Sequence, residues 1–229
     1  MSAQKVCFIT EDTSERGHAA VKTLLKRLLK SEPEALPARH RVATPPHWAS
    51  NKTTGEREAR VELAKLIATR LGEGALVVFH YDGDMAWASR KKSTRDKDFD
   101  RAWRVAVRSL AIAVKRPLPD AAMLRLVEMV PYYSIEGWLY RALDHTRSLC
   151  DQHCERARVA PSHSLLADWQ ADPGRLDEML KPKDALCIRD EHNAALALAV
   201  SLADLDATQK SFAAFVGELH KAGLLLRPL

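Results

Sequence analysis

Two hydrophobic patterns alternate along this chain, and they predict alternating strands and helices. The run Ala75-Leu76-Val77-Val78-Phe79 is apolar without interruption, which predicts a strand buried on both faces, as in the parallel sheets of α/β proteins. Lys5-Val6-Cys7-Phe8-Ile9-Thr10 predicts a short strand near the start, and a further strand is expected from about Leu124 to Met129. Helical spacing is clearest where Ala20, Leu24, Leu25, Leu28 and Leu29 share one face. Lys22, Lys26 and Lys30 lie on the other side; a solvated helix surface is the simplest reading of them, and contact with nucleic acid or anionic lipid the alternative. Helices are also expected from about Glu56 to Leu71, closed at Gly72 and Gly74, and from about Phe99 to Val114. Pro117 and Pro119 break the second of these before the next strand. Arg39 to Ala43 reads as a short strand and Pro45 to Lys52 as a long loop.

The last third reads as helical, punctuated at Pro161-Ser162-His163, Asp172-Pro173-Gly174 and Lys181-Pro182-Lys183-Asp184. Its final helix carries Phe212, Phe215, Val216 and Leu219 on one stripe, which must pack on the sheet or on a partner. The expected architecture is therefore α/β, a mostly parallel Rossmann-like sheet flanked by helices over 1–146, with a helical extension over 147–229.

Composition widens this picture only modestly. The 229 residues are 46% hydrophobic, enough for a substantial core, and the formal net charge of +5 permits nucleic-acid binding without requiring it. Met1 to Lys5 holds no apolar signal core, and no stretch approaches the roughly 18 apolar residues of a membrane span, so a cytoplasmic protein without membrane contact is expected. The four cysteines, Cys7, Cys150, Cys154 and Cys187, are then expected as thiols. His145, Cys150, His153 and Cys154 fall on essentially one helix, with spacing unlike that of structural zinc sites.

The candidate chemistry sits where strands break. Asp82-Gly83-Asp84 follows the apolar run, and two carboxylates one residue apart at the end of a parallel strand can converge on a hard cation. Asp-Gly is also ordinary turn chemistry. Glu11-Asp12 ends the first strand in the same way, at what would be the same sheet edge. Gathered carboxylates repel one another unless a cation or protons offset their charge, so a cluster of this kind implies a divalent metal. The competing reading makes Asp12, Thr13 or Ser14 a helix cap. Arg90-Lys91-Lys92-Ser93-Thr94-Arg95-Asp96-Lys97 follows, with Trp87 just before it. Arg90, Lys91, Lys92 and Arg95 beside an acidic cluster can hold a phosphodiester backbone, and Trp87 can stack a base; a solvated loop is the alternative. In Ser134-Ile135-Glu136-Gly137-Trp138-Leu139, Ser134 is expected to cap a helix with Glu136 in its first turn, and Ile135, Trp138 and Leu139 to face the core. His80 and Tyr81 border the acids and are secondary candidates for proton transfer.

Three segments, Phe8-Ile9-Thr10-Glu11, Val77 to Asp84 and Pro131 to Leu139, together resemble a TOPRIM domain, the metal-binding fold of topoisomerases, primases and OLD-type nucleases. The Pro-x-x-x-Ile-Glu-x-Trp-Leu segment is similar to small standalone TOPRIM-like proteins, many found beside an ATPase in bacterial anti-phage systems. The resemblance covers roughly residues 5 to 145. It implies Mg²⁺ or Mn²⁺ held by Glu11, Asp82 and Asp84, with Asp12 as the alternative first acid and Glu136 assisting, at a second metal or as a helix cap alone. The glycine that follows the first acid in that family comes late here, at Gly17. The implied activity is endonucleolytic hydrolysis, on DNA ahead of RNA, controlled by an ATPase partner in anti-phage defence, with a homo-oligomer compatible. Strand passage is not expected from so short a chain, although Tyr132, Tyr133 and Tyr140 are present. Two other classes stand beside it: a non-catalytic subunit that binds nucleic acid or a partner, and an Asp-x-Asp metal-dependent transferase, which leaves Glu11 and Glu136 without a role.

Overall fold

The computed structural model describes residues 5–10, 15–29, 31–36, 54–83, 103–113, 116–131, 134–158 and 190–224. Among these, four strands form one parallel sheet in the order β2-β1-β3-β4. They are β1 (Val6–Thr10), β2 (Glu34–Ala35), β3 (Leu76–His80) and β4 (Leu126–Met129). Every residue of β1 and β3 is buried, as uninterrupted apolar runs require. The register pairs Val6 with Leu76 and Thr10 with His80, and then His80 with Met129, so the three strands end level with one another.

Alternation along each strand sends side chains to two cores. Val6, Phe8, Leu76, Val78, Val127 and Met129 face one side, against α1 (Glu15–Leu28) and helices of the C-terminal third. Cys7, Ile9, Val77, Phe79 and Leu126 face the other, against α2 (Thr54–Gly72) and α3 (Val105–Ala113). The protein is therefore an α/β sheet flanked by helices on both faces. The stripe predicted for α1 is the buried one: Ala20, Leu24, Leu25, Leu28 and Leu29 lie in the core. Lys22 and Lys26 stand in solvent, both reaching Glu32, at 3.1 and 2.8 Å.

Helix α2 matches the expected 56–71 closely, and the two glycines share its close. Gly72 ends the helix, whereas Gly74 takes φ +83° and donates to the Leu71 carbonyl at 3.1 Å. That left-handed step turns the chain straight into β3. A single turn, α4 (Asp120–Met123), follows Pro119 and leads into β4. The edge strand is Glu34–Ala35; the strand expected at 39–43 and the loop at 45–52 lie outside the described residues.

After β4 come the one-turn α5 (Glu136–Leu139), α6 (Leu143–Ala157), a 3₁₀ turn at Asp190–His192, α7 (Asn193–Ala199), α8 (Leu202–Thr208) and α9 (Lys210–Lys221). The α9 stripe packs on the sheet side: Phe212, Phe215, Val216 and Leu219 share a core with Val127, Met129 and Trp138. Ile135, Trp138 and Leu139 are buried, as their spacing predicts. No helix among the described residues is long and apolar enough to cross a membrane.

Candidate functional site

β1, β3 and β4 end level with one another, and the candidate chemistry follows their carboxyl ends. Beyond His80 the chain keeps its hold on β4. Tyr81 donates its N–H to the Met129 carbonyl at 3.3 Å and Gly83 to the Pro131 carbonyl at 3.1 Å. Asp82 is thereby fixed at the rim, its side chain one-third exposed (33%). Alternation turns Asp82 to the same side as His80, and its Oδ1 lies 3.8 Å from His80 Nε2. That separation is too long for a direct hydrogen bond between these two atoms.

His80 itself is buried, and its Nδ1 lies 2.9 Å from Thr10 Oγ1, the register partner on β1. With the proton on Nε2, facing Asp82, Nδ1 accepts the Thr10 hydroxyl. A chain of polar groups therefore runs from the last residue of β1, which directly precedes Glu11, to Asp82. Sequence reasoning had named His80 but not Thr10; the strand register supplies the link.

On the opposite face, Tyr81 donates its hydroxyl to Glu128 Oε2 at 2.7 Å, and Arg104 Nη2 donates to Glu128 Oε1 at 2.9 Å. This bridge ties the exit of β3 to β4 and to the start of α3. Tyr81 is held by that bond rather than turned toward the Asp82 side. Glu128 and Arg104 were also missed, although a lone acid inside Leu126-Val127-Glu128-Met129 is a usable signal, since a half-buried carboxylate in a strand needs partners.

Glu136 opens α5 and is 6% exposed. Asn193 Nδ2, from the first turn of α7, donates to its Oε1 at 3.1 Å. The expected cap by Ser134 is not made. Ile135 is the N-cap, in right-handed helical conformation with no side-chain cap, and Ser134 contributes only its carbonyl, which accepts from Gly137 N–H at 3.0 Å. A side-chain cap needs an extended residue at that position, and here the chain has already turned.

Of Glu11, Asp12, Asp82 and Asp84, Asp82 alone falls among the described residues. Glu11, Asp12 and Asp84 lie outside them, as do Arg90, Lys91, Lys92, Arg95 and Trp87. Among the described residues no group of three or more His, Cys, Asp or Glu side chains is placed to hold a metal ion. Asp82 suits a hard cation as a single donor: a carboxylate at a sheet's carboxyl rim, open to solvent on one side. His145 and Cys154 lie on α6, and Cys154 is a buried free thiol. Compared with family models, curated proteins and solved structures, the chain matches none.

Proposed function

We propose that this chain is a TOPRIM-like, metal-dependent nuclease whose site is the carboxyl edge of the sheet, with Glu11, Asp82 and Asp84 as ligands of Mg²⁺ or Mn²⁺ and Asp12 or Glu136 assisting. The observation that carries the reading is the Thr10–His80–Asp82 arrangement. It brings the end of β1, one residue before Glu11, level with the strand exit that bears Asp82. The parallel order β2-β1-β3-β4, with Glu136 following the fourth strand, is consistent with the same reading.

Bound at such a site, a divalent cation supplies Lewis-acid charge to a phosphodiester and lowers the pKa of a coordinated water. The chain's own residues do the rest. Asp82 presents a carboxylate to the rim, 3.8 Å from the buried ring of His80. Asn193 holds Glu136 in one orientation. Arg90, Lys91, Lys92 and Arg95 bind backbone phosphates without reading bases, which suits a substrate chosen by form. DNA is the substrate proposed ahead of RNA, with an ATPase partner as the controlling subunit in anti-phage defence and self-association compatible with it.

The test is cleavage of supercoiled plasmid, single-stranded DNA and total RNA with Mg²⁺ or Mn²⁺, comparing wild type with Asp82→Asn, Asp84→Asn and Glu11→Gln. Each substitution is expected to lower cleavage at least about 100-fold, the upper end of what loss of an outer-shell partner costs. Cleavage that survives Asp82→Asn sinks the assignment. A wild-type chain that binds nucleic acid but cleaves none of the three substrates, even with its ATPase neighbour added, makes it a binding subunit.

A further inference from the structure

A cavity of about 770 Å³ opens at the other end of the sheet from Asp82. Gly72 and Glu73, which line it, precede β3, and Arg125, which also lines it, precedes β4, so it lies at the amino edge. Its volume is within the roughly 300–1,000 Å³ of small-molecule sites. Pro119 is extended, with φ −66° and ψ 157°, ahead of α4, and Leu118 before it reaches the end of α2, 3.8 Å from where a side chain on Gly72 would begin.

The charges around this cavity do not cancel. Among the described residues Lys65, Arg116 and Arg125 line it, with Glu73 as the one lining acid. Glu73 is engaged by Arg70 at 3.0 Å, and neighbouring Asp120 by Arg108 at 2.9 Å. Arg125 spends two of its donors on the carbonyls of Leu71 (2.9 Å) and Ala121 (3.3 Å), and its Nε has no partner. Among the described residues none of Lys65, Arg116 and Arg125 has a carboxylate within ion-pair distance, and the lining Glu73 is taken by Arg70. Ala68, Leu71, Leu110, Leu118 and Pro119 supply aliphatic walls, and among the described residues no aromatic ring lines the cavity to stack a base.

We infer that this cavity is a binding site for a small amphiphilic anion, an aliphatic body carrying a carboxylate or a phosphate. The apolar walls take the body, and Arg116 and Lys65 at the rim take the anionic group as charge-assisted donors. Nothing in this depends on the acids at the carboxyl edge, so the site stands apart from the nuclease reading.

Titration of the full chain with 8-anilinonaphthalene-1-sulfonate tests it. One saturable site is expected, displaced by decanoate but not by the same concentration of inorganic phosphate, which lacks the body. Arg116→Glu and Lys65→Glu should each weaken binding about tenfold, the loss of one charge-assisted contact. Ala68→Phe, which fills the space, should abolish it, while Asp82→Asn leaves it unchanged. Circular dichroism melts confirm that the variants are folded. Binding that does not saturate, or that both charge reversals leave untouched in folded protein, overturns the site.

Discussion

Cys7 lies at the centre of the sheet with its side chain fully buried. Burial pushes its thiol pKa up, nearby Glu34 adds to the rise, and Arg70 and Lys5 oppose it. The fold therefore favours the neutral thiol. An unfolded thiol ionises near 8.5 and the folded one only at higher pH, so this contribution to stability is complete below that value and is lost as pH climbs past it. Cys154 is buried as well. Cys7 and Cys154 are expected to react with a disulfide reagent at pH 8 only as fast as the protein opens, and Cys7→Ala should flatten the fall in melting temperature between pH 8 and 10. Immediate modification of Cys7 in folded protein would contradict this. At this scale the sequence showed what is local. Asp82 was visible because Asp-Gly-Asp ends an apolar run, and His80 because it stands beside it. The bond between Glu136 and Asn193 spans 57 positions and the Thr10–His80 contact spans 70, and only the folded chain brings those pairs together.

Elements were legible wherever one pattern dominated a segment. β1 and β3 are continuous apolar runs, and α1 is a stripe of alanine and leucine against lysine, so each was read from local order alone. β2 was not legible, because two exposed residues after Pro33 carry almost no strand signal, and Arg39 to Ala43 has better strand composition. The cap on α5 was misread for a related reason: a single turn is too short to set its own start and takes its form from its packing. That packing is aromatic. Trp138 meets Phe212 edge-on at 5.1 Å and Phe215 in a stack at 6.2 Å, and its indole N–H donates to Ser211 Oγ at 2.8 Å. Trp138→Ala is expected to cost about 3–5 kcal/mol in urea unfolding, as for other buried tryptophans. Trp138→Phe should cost less, since the ring contacts survive in part and only the bond to Ser211 is lost. A loss below about 1 kcal/mol for the alanine variant would mean that the α5–α9 contact is not a structural joint.

Across the whole molecule, the sheet and the C-terminal helices share one core. Val6, Phe8, Leu24 and Leu28 on the sheet side lie in the same cluster as Leu196, Leu205, Phe212 and Leu219. The joint has a polar clasp. Arg27, on α1, donates through Nη1 to the carbonyls of Ala197 and Val200, each at 2.7 Å, where α7 ends. A helix end left without such partners is costly, and a cation there also opposes the helix dipole's negative end. Partial burial lowers the Arg27 pKa by desolvation, which marks how far the guanidinium has been drawn into the joint. Because Glu136 is held by Asn193 from α7, the same joint reaches the candidate site. Removing the chain after Arg158 would leave α1 to cover that face of the sheet without α7, α8 and α9, expose Trp138 and leave Arg27 and Glu136 without these partners. The shortened chain is therefore expected to lose cooperative unfolding rather than shift its midpoint. Arg27→Met, which keeps the length and removes the donors, separates the clasp from the bulk of the core: a drop of about 1–3 kcal/mol in a transition that stays cooperative is expected, the cost of two buried carbonyls left unpaired. If instead residues 1–158 unfold cooperatively at the full-length midpoint, the sheet does not need that face covered, and the C-terminal helices are an appendage to a core that stands alone.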